Sequence, residues 1–216
     1  MPSRPFRLLA YDFDGTLVDT KEDIALSVNL ALEELGLPAR SREEIFSFVG
    51  HGVLNLMRKA VGESGGVEAE HAVDVFRKHY RVHVLDTTLF YPNCIEVLEH
   101  FHSRIQAIVS NKPVEFVESI LEGLEQRHHF ASVYGGDSVA NKKPDPEMVQ
   151  HLLQVHAIPP EQALVIGDSP QDIEAGKRAG TATCGVTWGL RPLEDVKTAA
   201  PDYLIDNMAD LKNLVA

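Results

Sequence analysis

The chain has 216 residues, 44% of them hydrophobic and 24% charged, with a formal net charge of −12 at neutral pH. That length and apolar share suffice for one sizeable core plus a small appended domain. The acidic balance lacks the basic footprint of a nucleic-acid binder, and no apolar run approaches a membrane span, so nucleic acid and membrane are both set aside as partners.

Arg7-Leu8-Leu9-Ala10-Tyr11 reads as a short apolar strand without signal-peptide character. It runs into Asp12-Phe13-Asp14-Gly15-Thr16-Leu17-Val18-Asp19-Thr20. Residues i and i+2 share a face in an extended chain. At a strand end, Asp12 and Asp14 therefore both reach one site, which is enough for a nucleophile and a proton carrier. Gly15 lets the backbone turn sharply where a ligand approaches it. Like charges in an apolar site call for a divalent cation or a shared proton; taken alone, the run also reads as a strand end with solvated acids in a turn.

Residues 19–87 read almost entirely helical. Thr20-Lys21-Glu22-Asp23 resembles a capping box, opening a helix that carries Ile24, Val28, Ala31, Leu32 and Leu35 on one face until Gly36 stops it. Ser41-Arg42-Glu43-Glu44 opens another in the same way, and Gly50-His51-Gly52 breaks it. Val53 to Val61 makes a third helix, Gly62 to Gly66 a flexible loop, and a longer helix runs from about Val67 to His83. The expectation is a small helical domain over 19–87 inserted into a main domain made of 1–18 and 88–216.

From Tyr91-Pro92 onward, strands near 105, 132, 163, 182 and 203 alternate with helices. This is the pattern of an α/β fold with a doubly wound parallel sheet, in which ligands bind beyond the carboxyl ends of strands where the strand order reverses. The strand Ile105-Gln106-Ala107-Ile108-Val109 ends in Ser110-Asn111-Lys112-Pro113, where a hydroxyl and backbone N–H groups suit phosphate oxygens, although Ser and Asn also serve as plain loop residues. Asn141-Lys142-Lys143-Pro144-Asp145-Pro146-Glu147 sets lysines before a proline-punctuated helix start, either a surface turn or a source of charge for a phosphoryl group or an aspartate. The strand Ala163-Leu164-Val165-Ile166-Gly167 ends in an acidic turn with Asp168 and Asp172 four residues apart. Oxygen ligands of this kind suit Mg²⁺, and Asp172 reads equally as a first-turn helix acid.

Cys94 and Cys184 lack CxxC spacing and are expected to be buried reduced thiols of a cytoplasmic protein rather than a disulfide or a zinc site. Among the 10 histidines, His128-His129 and His100-Phe101-His102 have no acidic or cysteine partner at ligand spacing and read as surface positions. His51, set between two glycines, is left open between a surface position and a substrate contact.

Taken together, Asp12-x-Asp14-x-Thr16, Ser110, Lys143 and Gly167-Asp168-x-x-x-Asp172 resemble the motifs of the haloacid dehalogenase superfamily, in the same order and at strand ends. The resemblance spans nearly the whole chain. It is closest to the phosphoglycolate phosphatase branch, on Ser110-Asn111-Lys112-Pro113, Gly135-Gly136-Asp137, Lys142-Lys143-Pro144 and Val186-Thr187-Trp188-Gly189.

The resemblance implies Mg²⁺-dependent hydrolysis of a small phosphorylated metabolite, 2-phosphoglycolate before others, through an aspartyl phosphate. Asp12 corresponds to the nucleophile, Asp14 to the acid/base, and Ser110 and Lys143 to the phosphate and charge-stabilising groups. Asp12, Asp14 and Asp168 are the implied metal ligands, with Asp172 beside them directly or through water. Thr16, Asn111, Gly50, His51 and Gly52 are the expected substrate-side residues, with Arg58 or Lys59 helping selection from the cap that the helical insertion matches. Asp14 speaks against a metal-free dehalogenase and against a phosphonatase, even with Lys59 in the cap. A β-phosphoglucomutase-like sugar phosphate mutase, a pyrophosphatase and, from another class, a non-catalytic regulatory module are the alternatives. A monomer or homodimer is expected.

Overall fold

The computed structural model describes residues 6–62 and 66–215. All four residues of β1 (Leu8–Tyr11) are buried, as suits a strand with neighbours at both edges and layers on both faces. The chain then turns into β2 (Val18–Asp19), which pairs antiparallel with β3 (Leu89–Phe90). Between these two short strands lie four helices, α1 (Lys21–Glu34), α2 (Arg42–Phe48), α3 (Val53–Val61) and α4 (Ala69–His83).

The remaining strands, β4 (Ile105–Val109), β5 (Ser132–Tyr134), β6 (Ala163–Gly167), β7 (Ala182–Val186) and β8 (Tyr203–Ile205), complete a six-stranded sheet in the order β5-β4-β1-β6-β7-β8. Every pairing in it is parallel. The two-residue period of a strand divides its side chains between two cores. Leu9 and Tyr11 face the cluster built with α5 (Cys94–His100) and α6 (Val114–Gly123), while Leu8 and Ala10 face the one built with α7 (Glu147–Val155) and α8 (Pro170–Ala179). Strand order runs outward from β1 through β4 to β5, then returns to β6 on the other side of β1. The reversal therefore falls at β1, and the carboxyl ends of β1, β4 and β6 open onto one crevice.

The helix starts are instructive. Ser41 forms the expected capping box, its Oγ accepting from the Glu44 N–H at 3.3 Å and its own N–H donating to the Glu44 carboxylate at 2.9 Å. Thr20 does not: its backbone is already helical at φ −109° and ψ 0°, and its Oγ donates to the Asp14 carboxylate at 2.6 Å. Asp23, the other half of the expected box, turns to the returning chain instead. It accepts from the N–H and hydroxyl of both Thr87 and Thr88, at 2.6–3.1 Å. The buried Thr88 donors just before β3 and the partly buried Asp14 carboxylate at the turn outcompete a helix cap that water can partly replace.

The expected long helix begins at Ala69 rather than near Val67. Of the expected Gly62–Gly66 loop, residues 63–65 lie outside the described residues. Cys94 and Cys184 are buried and free. Among the described residues, no helix is long and apolar enough to cross a membrane.

Asp23 is 1% exposed and ties the start of α1 to the chain leaving α4. Replacing it with alanine orphans buried donors, so Asp23→Ala should cost about 3 kcal/mol in denaturant unfolding. A loss below about 0.5 kcal/mol, the range of ordinary surface substitutions, would contradict that role.

Candidate active site

The β1 ladder carries one residue past the strand, the Asp12 N–H donating to the Ile166 carbonyl at 2.8 Å, which fixes Asp12 at the mouth of the crevice. Phe13 and Leu17 are fully buried and anchor the turn that follows. Gly15 makes it possible: its φ is +88°, and a β-carbon there would collide with the Asp168 carboxylate. The turn aims Asp14 toward Thr20 and Lys112, which hold it, the Lys112 ammonium at 3.0 and 3.3 Å from its two oxygens. The same ammonium donates to the Tyr80 hydroxyl of α4 at 2.8 Å and lies 4.7 Å from that ring's centre.

Lys143 lies across the crevice. Its ammonium donates to Asp12 Oδ1 at 2.8 Å, to Asp172 Oδ1 at 2.5 Å and to the Val109 carbonyl at 2.6 Å, which uses all three of its N–H groups. Asn111 fixes the backbone of this lysine, accepting from its N–H and donating to its carbonyl, both at 3.0 Å. The second Asn111 amide hydrogen reaches the Gly50 carbonyl, also at 3.0 Å. Asp172 is a helix acid and a site acid at once: Oδ2 accepts from the Ser169 N–H and hydroxyl as the N-terminal box of α8, while Oδ1 faces Lys143.

Asp12, Asp168 and Asp172 each bring a carboxylate oxygen within 4.8 Å of the others, all three buried. One ammonium among three carboxylates leaves an excess of negative charge in a dry site. Burial first, and then the Asp172 charge, push the Asp12 carboxyl up to about 6, against the opposing pull of Lys143. Burial and the charges of Asp12 and Asp172 likewise raise Asp168 well above the usual carboxylate range. Burial alone would lower Lys143, yet the two aspartates outweigh it and keep the ammonium protonated. Buried carboxylate oxygens with an excess of negative charge fit a hard divalent cation such as Mg²⁺.

One cavity at the seam between the strand ends and α1–α4 is lined by Asp12, Asp14, Ser110, Lys143, Asp168 and Asp172. Gly50, Gly52 and Asn111 line it too, but the Asn111 amide is already committed to backbone partners. Other expected residues lie elsewhere. Thr16 is fully buried in the turn, its hydroxyl without a hydrogen bond among the described residues. His51 is exposed and accepts from the Gln171 side-chain amide at 2.8 Å. Arg58 and Lys59 are exposed, with the Lys59 ammonium over the Phe48 ring. The Asp14 carboxylate is separate from the three-carboxylate cluster, spent on Thr20 and Lys112.

Sequence reasoning overlooked Lys112, Tyr80 and Arg191, which all line the cavity. Lys112 sits inside a string that was already singled out, so its neighbour Ser110 was a usable signal. Tyr80 and Arg191 carry no local mark, since only the fold brings α4 and the loop after β7 to the strand ends.

Comparison with known proteins agrees with this geometry. The family model described as haloacid dehalogenase-like hydrolase matches residues 9–186. A phosphoglycolate phosphatase of Aquifex aeolicus is 37% identical, the match covering 97% of this chain and 96% of that one. One of Vibrio cholerae is 35% identical over 98% of each. Among solved structures, a predicted phosphoglycolate phosphatase from Haemophilus somnus superposes with a TM-score of 0.91 at 32% identity, covering 97% of both chains. A fold, a strand-end carboxylate constellation and full-length relatives thus coincide, and the chain belongs to the haloacid dehalogenase-like hydrolase family.

Proposed function

We propose that the chain is a Mg²⁺-dependent phosphatase acting on a small phosphorylated metabolite, 2-phosphoglycolate, through a phosphoryl group carried on Asp12. The observation that carries this reading is the division of labour between two carboxylates two residues apart. Asp12 faces Lys143 within a three-carboxylate cluster, and Asp14 is held away from that cluster by Thr20 and Lys112. The full-length relatives named phosphoglycolate phosphatase support the hydrolase class and motivate the substrate.

In this mechanism Lys143 orients the Asp12 carboxylate and offsets its charge as a phosphate dianion arrives. Asp12 attacks phosphorus in line, forming an O–P bond to the carboxylate as the ester O–P bond breaks, and Asp14 gives a proton to the departing alkoxide. Asp14 then takes a proton from water, whose oxygen attacks phosphorus, releasing inorganic phosphate and the free Asp12 carboxylate. The Ser110 hydroxyl, 2% exposed beside Lys143, and backbone N–H groups at the strand ends hold the phosphoryl oxygens. Asp12 and Asp168 are the residues to hold Mg²⁺, because both oxygens of Asp172 are already engaged. The bound ion supplies positive charge against the repulsion between carboxylate and phosphoryl oxygens. Cap closure over the site excludes water from the first step. Two buried free thiols fit a reducing cytoplasmic setting.

Asp12→Asn should lower phosphatase turnover by on the order of 10⁴-fold or more with the fold retained, since an amide cannot form the acyl phosphate. Turnover within tenfold of the parent would sink the assignment. Asp14→Asn should slow phosphorylation by alkyl phosphates by about 10²-fold and by aryl phosphates much less, because a phenolate leaves without a proton. Equal losses for the two leaving groups in single-turnover experiments would rule out that role.

A third test reads stability rather than rate. Asp12 and Asp168 have raised values in the folded state, so folding binds protons and the metal-free protein loses stability as pH rises from the ordinary carboxylate range through about 6 for Asp12. Mg²⁺ competes with those protons. At about pH 7.5 a concentration one hundred times its dissociation constant should add about 2.7 kcal/mol, roughly 5–10 °C in Tm for a chain of this size, and the same Mg²⁺ concentration should add less at about pH 5. Asp168→Asn should abolish most of that gain while raising the Tm of the metal-free protein, by removing a repelled charge. A gain that is the same in the variant, or larger at the lower pH, would contradict the metal site.

A further inference from the structure

We propose that Arg191 is the specificity residue of this site, the group that binds the second anion, a carboxylate, of a small phosphomonoester whose phosphoryl group lies at Asp12. The proposal rests on the phosphoglycolate reading and assigns the residue that would enforce it.

Three cationic side chains line the cavity, and two have no capacity left. Lys143 donates to Asp12, Asp172 and the Val109 carbonyl, and Lys112 to both oxygens of Asp14 and to the Tyr80 hydroxyl. Arg191 differs. Its Nη1 donates to the Ser47 carbonyl of α2 at 2.9 Å, whereas its Nη2 is buried and has no acceptor among the described residues. A buried charged donor left unpaired is costly, so the site is built for an acceptor that arrives from outside.

The surroundings hold the guanidinium where that acceptor would be. The residue before it, Leu190, donates its N–H to Asp168 at 2.6 Å, which fixes the loop against the carboxylate cluster. On the opposite side, Gly50 has φ +100°, and a β-carbon there would stand 2.7 Å from Nη2. Glycine at 50 thus admits the guanidinium against the cap loop. The adjoining cavity wall is apolar, formed by Val49, Val53 and Leu56. An unspent cationic donor among the described lining side chains, beside apolar walls, discriminates strongly between an anion and a neutral group, and a guanidinium edge suits a carboxylate. Lys143 and Ser110 serve the phosphoryl end at the base of the cavity, and Arg191 meets the other end from the seam with the cap.

The rival role for Arg191 is a latch that only holds the cap through Ser47. A latch affects all substrates alike, whereas an anion subsite affects only those that carry the anion. The test is therefore the ratio of kcat/KM for 2-phosphoglycolate to kcat/KM for ethyl phosphate, which lacks the carboxylate, in the parent, Arg191→Ala and Arg191→Lys. Because both rates come from one preparation, any misfolded fraction cancels. The parent should favour 2-phosphoglycolate, Arg191→Ala should lower the ratio by about 10–100-fold, chiefly through KM for 2-phosphoglycolate, and Arg191→Lys should recover part of it. A ratio within threefold of the parent in Arg191→Ala, with both substrates falling together, overturns the proposal and leaves the phosphoglycolate reading standing. A parent enzyme with no preference for 2-phosphoglycolate over ethyl phosphate overturns the reading and the proposal with it.

Discussion

The site depends on one ammonium group. Lys143 reaches from the loop after β5 to Asp12, Asp172 and the Val109 carbonyl, joining the ends of β1 and β4 and the first turn of α8. Three carboxylates at the end of a parallel sheet would repel one another in a dry crevice, and a single lysine offsets only part of that charge. Burial first, and then that residual excess of negative charge, displaces Asp12 and Asp168 toward the protonated form.

The cap is connected to this charge network by few contacts, each from a loop at a strand end. Asn111 fixes Lys143 and at the same time grips the Gly50 carbonyl. Lys112 binds Asp14 and the α4 residue Tyr80, and Arg191 reaches the Ser47 carbonyl. Side chains that hold the strand-end carboxylates therefore also bond to α4 and to the loop at Gly50. The cap itself contributes largely apolar surface to the cavity, so the polar recognition of a small anionic substrate falls to side chains of the core.

Much of this was legible in the sequence because strand ends impose local rules. A two-residue carboxylate spacing after an apolar run, a glycine in the turn, and lysine and aspartate after later strands place Asp12, Asp14, Lys143 and Asp168 without knowledge of the fold, and the alternating pattern gives the parallel sheet. What was not legible depends on contacts between distant segments. Thr20 looks like a cap but donates to Asp14, and Asp23 serves the returning chain at Thr87 and Thr88. His51, left open in sequence between a surface position and a substrate contact, is exposed and pairs with Gln171, while Arg191, inconspicuous in sequence, lines the cavity. Position in a motif indicates which backbone is special; only packing decides which side chain points inward.

The central claim is that the phosphoryl group passes through Asp12. Rapid acid quench of the enzyme turning over ³²P-labelled 2-phosphoglycolate with Mg²⁺, followed by proteolysis, tests it directly. The account predicts a transient, hydroxylamine-labile label on the peptide that contains Asp12, formed and lost at rates that match turnover. Turnover without labelled protein, or a label on a peptide lacking Asp12, would contradict it.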